Sequence, residues 1–209
     1  MKIRGIDLEL LNHASVKIKD KWVIYVDPFG IGRGEKADFI LISHKHFDHL
    51  SPNDLKKIIK PETIIIAAEE CKENLAVISK SVSLVTYLKP NQNIKVGDFF
   101  VETVPAYNTN KPYHPKEDQK LGFIVNLSLG RVYLAGDTDL IPEMKSLRDI
   151  EIAFLPVSGK YVMTAEEAAK AVEIIRPKVV IPYHYDAVGS RKDAEKLKSL
   201  TKFNVQILK

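Results

Sequence analysis

Cysteine is almost missing from this chain: Cys71 is the only one among 209 residues. No intrachain disulfide can form, which agrees with a reducing compartment. A cysteine-rich zinc module is excluded too, so any metal must be held by histidines and carboxylates. No apolar run approaches the roughly 18 residues that a membrane helix needs. Residues 1 to 30 alternate and carry charges throughout, unlike a signal peptide. A soluble, cytoplasmic protein with no membrane span is therefore expected. Charge of one sign is not in excess either: 31 Lys and Arg against 27 Asp and Glu leave a net charge of +4. The lysines are spread along the chain with no basic block, which argues against a nucleic-acid partner. Repeats, low-complexity tracts and linkers are lacking, so residues 1–209 are expected to form a single domain.

What is present alternates between strand and helix signals. "DLELL" and "SVKIK" alternate apolar with polar residues, whereas "WVIYVDP" (22–28) and "DFILISH" (38–44) are more continuously apolar, as doubly covered strands are. After "SPNDLKKIIK", a helix with Ser51 as cap and Leu55, Ile58 and Ile59 as its stripe, comes the strand "TIIIAA" (63–68). A helix is expected from Cys71 to Ile78. Strands are expected at 98–106, 121–128, 131–137 and 150–157, with Leu129 and Gly130 turning between the second and third. "TAEEAAKAVEIIR" reads as a helix with Thr164 and Glu167 as a capping box, then "KVVIPYHY" as a strand, "RKDAEKLKSL" as a helix and "FNVQIL" as a last strand. Two sheets with helices outside would bury these elements, an α+β αββα sandwich.

Three of the six histidines and one aspartate fall in "SHKHFDH", residues 43–49. In an extended segment His44, His46 and Asp48 would point to one side, and a turn could bring His49 round. Protonated imidazoles repel one another and buried carboxylates lose hydration, so such crowding favours a bound divalent cation. Three further donors, Asp27, Asp137 and His184, also end predicted strands.

In order and spacing these residues resemble the metallo-β-lactamase fold hydrolases along the whole chain. The pattern is Asp27, "HKHFDH" at 44–49, His114, "GDTD" at 136–139 and His184. "NHASVKI", with His13, further resembles the subgroup of ascorbate-6-phosphate lactonase and N-acyl-phosphatidylethanolamine phospholipase D. The resemblance implies a four-layer αββα fold and two divalent ions, zinc first, with manganese or iron as alternatives. It implies His44, His46 and His114 on one ion, Asp48, His49 and His184 on the other, and Asp137 bridging. Asp48 and Asp137 are the carboxylates expected in catalysis. Asp27 would orient the cluster loop from behind. His114 lies in a polar segment, so a loop histidine facing substrate is its alternative. His13 is outside the ligand set, either lining the site or structural.

Two such ions share and activate a hydroxide, the expected nucleophile, with no role for Cys71. The implied function is hydrolysis of a small ester, lactone or phosphodiester, with a nuclease or a non-catalytic metal-binding scaffold or sensor as alternatives. Tyr107, Asn108, Tyr113, Lys160, Tyr161, Tyr183 and Tyr185 lie in segments that offer substrate contacts. A small-molecule substrate is expected, and a homo-oligomer is left open.

Overall fold

A computed structural model describes residues 1–185 and 188–208 and divides the chain into two units, Met1–Lys89 and Pro90–Lys209. Among the described residues no helix is long and apolar enough to cross a membrane.

The first unit is built on a seven-stranded sheet whose spatial order follows the chain: β1 (Lys2–Ile3), β2 (Ile6–Asn12), β3 (Ser15–Lys19), β4 (Val23–Val26), β5 (Phe39–Ile42), β6 (Ile64–Ala68) and β7 (Leu84–Leu88). β1 to β4 pair antiparallel and β4 to β7 pair parallel. The change of direction matches the change in sequence pattern. β2 begins by alternating buried with less buried residues, whereas every residue of β4 and β5 is buried. Parallel neighbours need a crossover. Between β5 and β6 this contains α1 (Pro52–Ile58), capped by Ser51, whose Oγ accepts from the Asp54 amide, with Leu55 and Ile58 buried.

The continuous helix expected from Cys71 to Ile78 is instead broken into 3₁₀ turns at Glu69–Cys71 and Ile78–Ser81 around one short helix, α2 (Lys72–Leu75). No side chain caps α2, and the Ser79 hydroxyl donates to the Ala76 carbonyl, offering that backbone an alternative to helix.

The second unit repeats the plan with six strands, β8 (Asn93–Val96), β9 (Phe99–Pro105), β10 (Leu121–Leu127), β11 (Gly130–Leu134), β12 (Ile150–Pro156) and β13 (Val179–Tyr183). Their spatial order is β13-β12-β11-β10-β9-β8, antiparallel from β8 to β11 and parallel from β11 to β13. The β10–β11 turn is Ser128–Leu129, one residue earlier than expected, because Leu127 pairs with Gly130. α3 (Ala165–Ile175) starts at the capping box of Thr164 and Glu167, and its buried Ala168, Ala171, Val172 and Ile175 join the core of this unit. α4 (Arg191–Leu200) packs against α3 and β13. The expected last strand contributes only one bridge, Val205 to Val180. β7 and β8, which no sequence signal singled out, carry mostly half-exposed residues and lie at the sheet margins.

Candidate metal centre

In both units several of the implicated residues follow the carboxyl ends of parallel strands, where open α/β sheets present ligands, whereas His13 and His114 lie between antiparallel strands. In the first unit, Asp27 follows β4 and Ser43–His44 follow its parallel neighbour β5. Asp27 is 2 % exposed and accepts three hydrogen bonds, from the Ser43 amide (2.7 Å), the Ser43 hydroxyl (2.6 Å) and His49 Nδ1 (2.8 Å). An ionised carboxylate only accepts, so His49 carries its proton on Nδ1 and its lone pair on Nε2. The single Ser43 hydroxyl proton is committed to Asp27. His44 Nδ1, 2.9 Å from Ser43 Oγ, therefore donates to that oxygen, which places the His44 lone pair on Nε2. One carboxylate thus sets the tautomers of two imidazoles.

The segment 45–49 is not extended as expected. The amides of His49 and Leu50 both donate to the His46 carbonyl, closing a turn. His44 and His46 still meet, with Nε2 and Nδ1 3.0 Å apart. The turn carries Asp48 round to His13, where Asp48 Oδ2 lies 3.3 Å from His13 Nε2 and 3.9 Å from His49 Nε2. His13 is buried in the two-residue turn between β2 and β3.

In the second unit, Asp137 follows β11 by way of Gly136, whose φ of +66° would place an added Cβ 2.4 Å from the Leu121 carbonyl oxygen. His184 follows β13 directly, with φ of 59°. Asp137 Oδ2 lies 3.1 Å from His184 Nε2 and 3.4 Å from His114 Nε2, and all three side chains are buried. His114 Nδ1 faces the Asn108 side-chain oxygen (3.1 Å) and the Tyr161 carbonyl (3.2 Å), both acceptors, so His114 also keeps its lone pair on Nε2. Ser158 Oγ, 3.3 Å from His184 Nδ1, orients the other imidazole.

Two positioning residues carry little sequence signal. Asn108 donates through Nδ2 to Asp139 (3.1 Å) and to the Tyr161 carbonyl (2.9 Å) while accepting from the His114 amide. Asp139, fully buried, also accepts from the Thr109 amide and Lys111 Nζ. It thereby ties down the loop that carries His114. Its place in "GDTD" was the only hint.

Of the tyrosines expected to offer substrate contacts, Tyr183 donates to the Gly136 carbonyl and Tyr185 to that of Leu208, both as buried residues. Tyr107 donates to Glu143. Tyr113, at 44 % exposure, stacks edge-on against Tyr161 and is open to solvent.

These donors fit divalent cations. A lone pair on His114 Nε2 and an ionised Asp137 oxygen repel each other unless a positive charge is shared between them. With ligand bonds of about 2.0–2.1 Å, neighbouring atoms of a tetrahedral set sit about 3.3 Å apart. Four donor pairs within the two units, at 3.0 to 3.4 Å, lie near that spacing, and the His49–Asp48 pair is longer at 3.9 Å.

Residues 7–184 match the family model described as Beta-lactamase superfamily domain. A UPF0173 protein of Pyrococcus abyssi is 34 % identical over 188 residues, covering 85 % of this chain and 82 % of its own. The chain belongs to the UPF0173 family of the β-lactamase superfamily. A second P. abyssi member, described as a UPF0173 metal-dependent hydrolase, is 30 % identical over 222 residues and covers 98 % and 96 % of the two chains. The crystal structure of a Parabacteroides distasonis protein assigned as a metal-dependent hydrolase superposes with a TM-score of 0.86, at 37 % identity, over 98 % of this chain and 94 % of that one. This UPF0173 member therefore has the metallo-β-lactamase fold expected of it. It is a metal-dependent hydrolase by family, with His and Asp residues able to bind metal.

Proposed function

We propose that residues 1–209 form one hydrolase domain in which two divalent ions are held by seven side chains. His44, His46 and His114 would hold the first, Asp48, His49 and His184 would hold the second, and Asp137 would serve both. The observation that carries this reading is the proton bookkeeping inside each unit: His44, His49 and His114 each donate Nδ1–H backward and keep a lone pair on Nε2. A purely structural polar cluster has no need of that common tautomer.

When bound, the ions supply Lewis acidity toward a substrate oxygen and make water acidic enough to ionise near neutral pH. The protein's own part is orientation. Asp27 holds two imidazoles through one carboxylate, Asn108 and the Tyr161 carbonyl hold a third, and Ser158 a fourth. Zinc is the first expectation and manganese or iron the alternatives, because imidazole and carboxylate accept all three. The substrate class is a small ester, lactone or phosphodiester.

The test is elemental analysis of protein purified without chelators, followed by turnover of ester, lactone and phosphodiester substrates before and after chelation. Two ions per chain and activity lost on chelation and restored by added metal are expected. Asp137→Ala should lower metal content and activity together; a variant that keeps both ions and full activity sinks the bridging role. Hydrolysis of RNA with steep salt dependence, and of nothing small, would overturn the substrate class.

A further inference from the structure

We propose that His13 is itself a ligand of the ion assigned above to Asp48 and His49, adding an imidazole that the superfamily pattern does not include. The inference rests on that assignment and deepens it.

Three observations converge. First, the ligand atoms of His13, Asp48 and His49 lie within 4.8 Å of one another. The 3.3 Å from His13 Nε2 to Asp48 Oδ2 falls between the 3.1 and 3.4 Å that separate Asp137 from its two imidazoles. Second, His13 is 1 % exposed, although it sits at the tip of a hairpin, where polar side chains ordinarily turn outward. Its ring faces the His49 ring edge-on, with centroids 6.3 Å apart. Third, its backbone has φ of 43°. In a two-residue hairpin turn, glycine or asparagine adopts that conformation at least cost. A histidine held there, buried and in the left-handed region, is poor for the fold, and such outliers gather at functional sites. Of the eight non-glycine residues with positive φ among those described, Asp27 and His184 are the two others at the candidate site, with φ of 47° and 59°.

An imidazole here would complete a set of two histidines and one carboxylate within the first unit alone. The ion would then meet a His₂Asp face within that unit.

The experiment uses full-length His13→Gly and His13→Ala, each stripped of metal and titrated with zinc against a competing chelator, and each reconstituted with cobalt(II) for its visible spectrum. Glycine suits the backbone at this position, so His13→Gly should keep or raise the thermal midpoint, and lost metal cannot then be ascribed to misfolding. Wild type should bind two zinc ions. Both variants should hold one ion unchanged and bind the other at least about 100-fold more weakly, beyond the roughly 10–100-fold expected when only an outer hydrogen-bonding partner is lost. One of the two cobalt bands should shift in the variants.

If both variants bind two ions with wild-type affinity, His13 is not a ligand and the assignment in the preceding section stands. Weakening below about 10-fold with an unchanged cobalt spectrum would also overturn the inference, leaving His13 as a positioning partner of Asp48. Wild type that takes up no divalent ion would sink both readings together.

Discussion

At the scale of single residues, Asp27 matters more than its exposure suggests. It receives one backbone amide, one hydroxyl and one imidazole, all buried. Asp27→Ala leaves these donors without their acceptor, and each buried unmet group costs about 1–3 kcal/mol. The metal-free variant should be destabilised by about 2–5 kcal/mol in urea unfolding. Its zinc affinity should also fall about 10–100-fold, because two imidazoles lose their fixed tautomer. Asn108→Ala should do less to stability and as much to metal binding, since Asn108 orients His114 alone; zinc competition alongside a urea curve separates the two effects. Asp27 was legible in the sequence as the Asp that ends an early strand. Asn108 was legible only as a candidate substrate contact, because its positioning role depends on Asp139 and Tyr161, 31 and 53 positions away.

At the scale of elements, the turn after β11 decides where Asp137 goes. Gly136 and Gly97 both have positive φ, +66° and +58°. A Cβ at Gly136 would strike the Leu121 backbone oxygen, whereas one at Gly97 would meet nothing within 4 Å. Gly97→Ala should therefore cost only about 1 kcal/mol, the backbone term. Gly136→Ala should cost about 3 kcal/mol or more and displace Asp137 as well. Thermal midpoints of the two variants, compared with metal content, test the difference. Elements with strong periodicity and caps, α3 above all, were readable from residue order. The stretch from 69 to 81 was not, because its apolar residues suit a helix while Ser79 competes for the backbone. β7 and β8 were missed because marginal strands bury less and so alternate less clearly.

For the molecule as a whole, the alkaline side of the stability profile carries a specific signature. Burial pushes the Cys71 thiol well above its ordinary value, reinforced by the nearby Glu70 and Asp27 carboxylates. The native state then keeps a proton that the unfolded chain releases above about pH 8.5. Stability from Cys71 is present below that pH and declines as pH rises through it. Burial likewise pushes the Tyr25 hydroxyl up to about 12, extending the decline beyond about pH 10. Urea midpoints should accordingly fall from about pH 8.5, and in Cys71→Ala the fall should start only near pH 10. A variant whose curve declines from pH 8.5 with the same slope as wild type would assign that limb to other groups.

By itself the amino-acid sequence determined the donor types, their chain order and the strands they terminate. These follow from composition and from hydrophobic patterns with periods of two and 3.6 residues. It also determined that no intrachain disulfide can form, since Cys71 is the only cysteine. Only the tertiary structure decided which nitrogen of His44, His49 and His114 keeps its lone pair, that Asp48 turns toward His13 and not along a strand, and that Tyr183 and Tyr185 face the core. Those outcomes depend on hydrogen bonds between residues far apart in the chain and on left-handed backbone at His13, Asp27 and His184. Local pattern encodes which side of an element is buried; it does not encode which distant acceptor waits there to receive a proton.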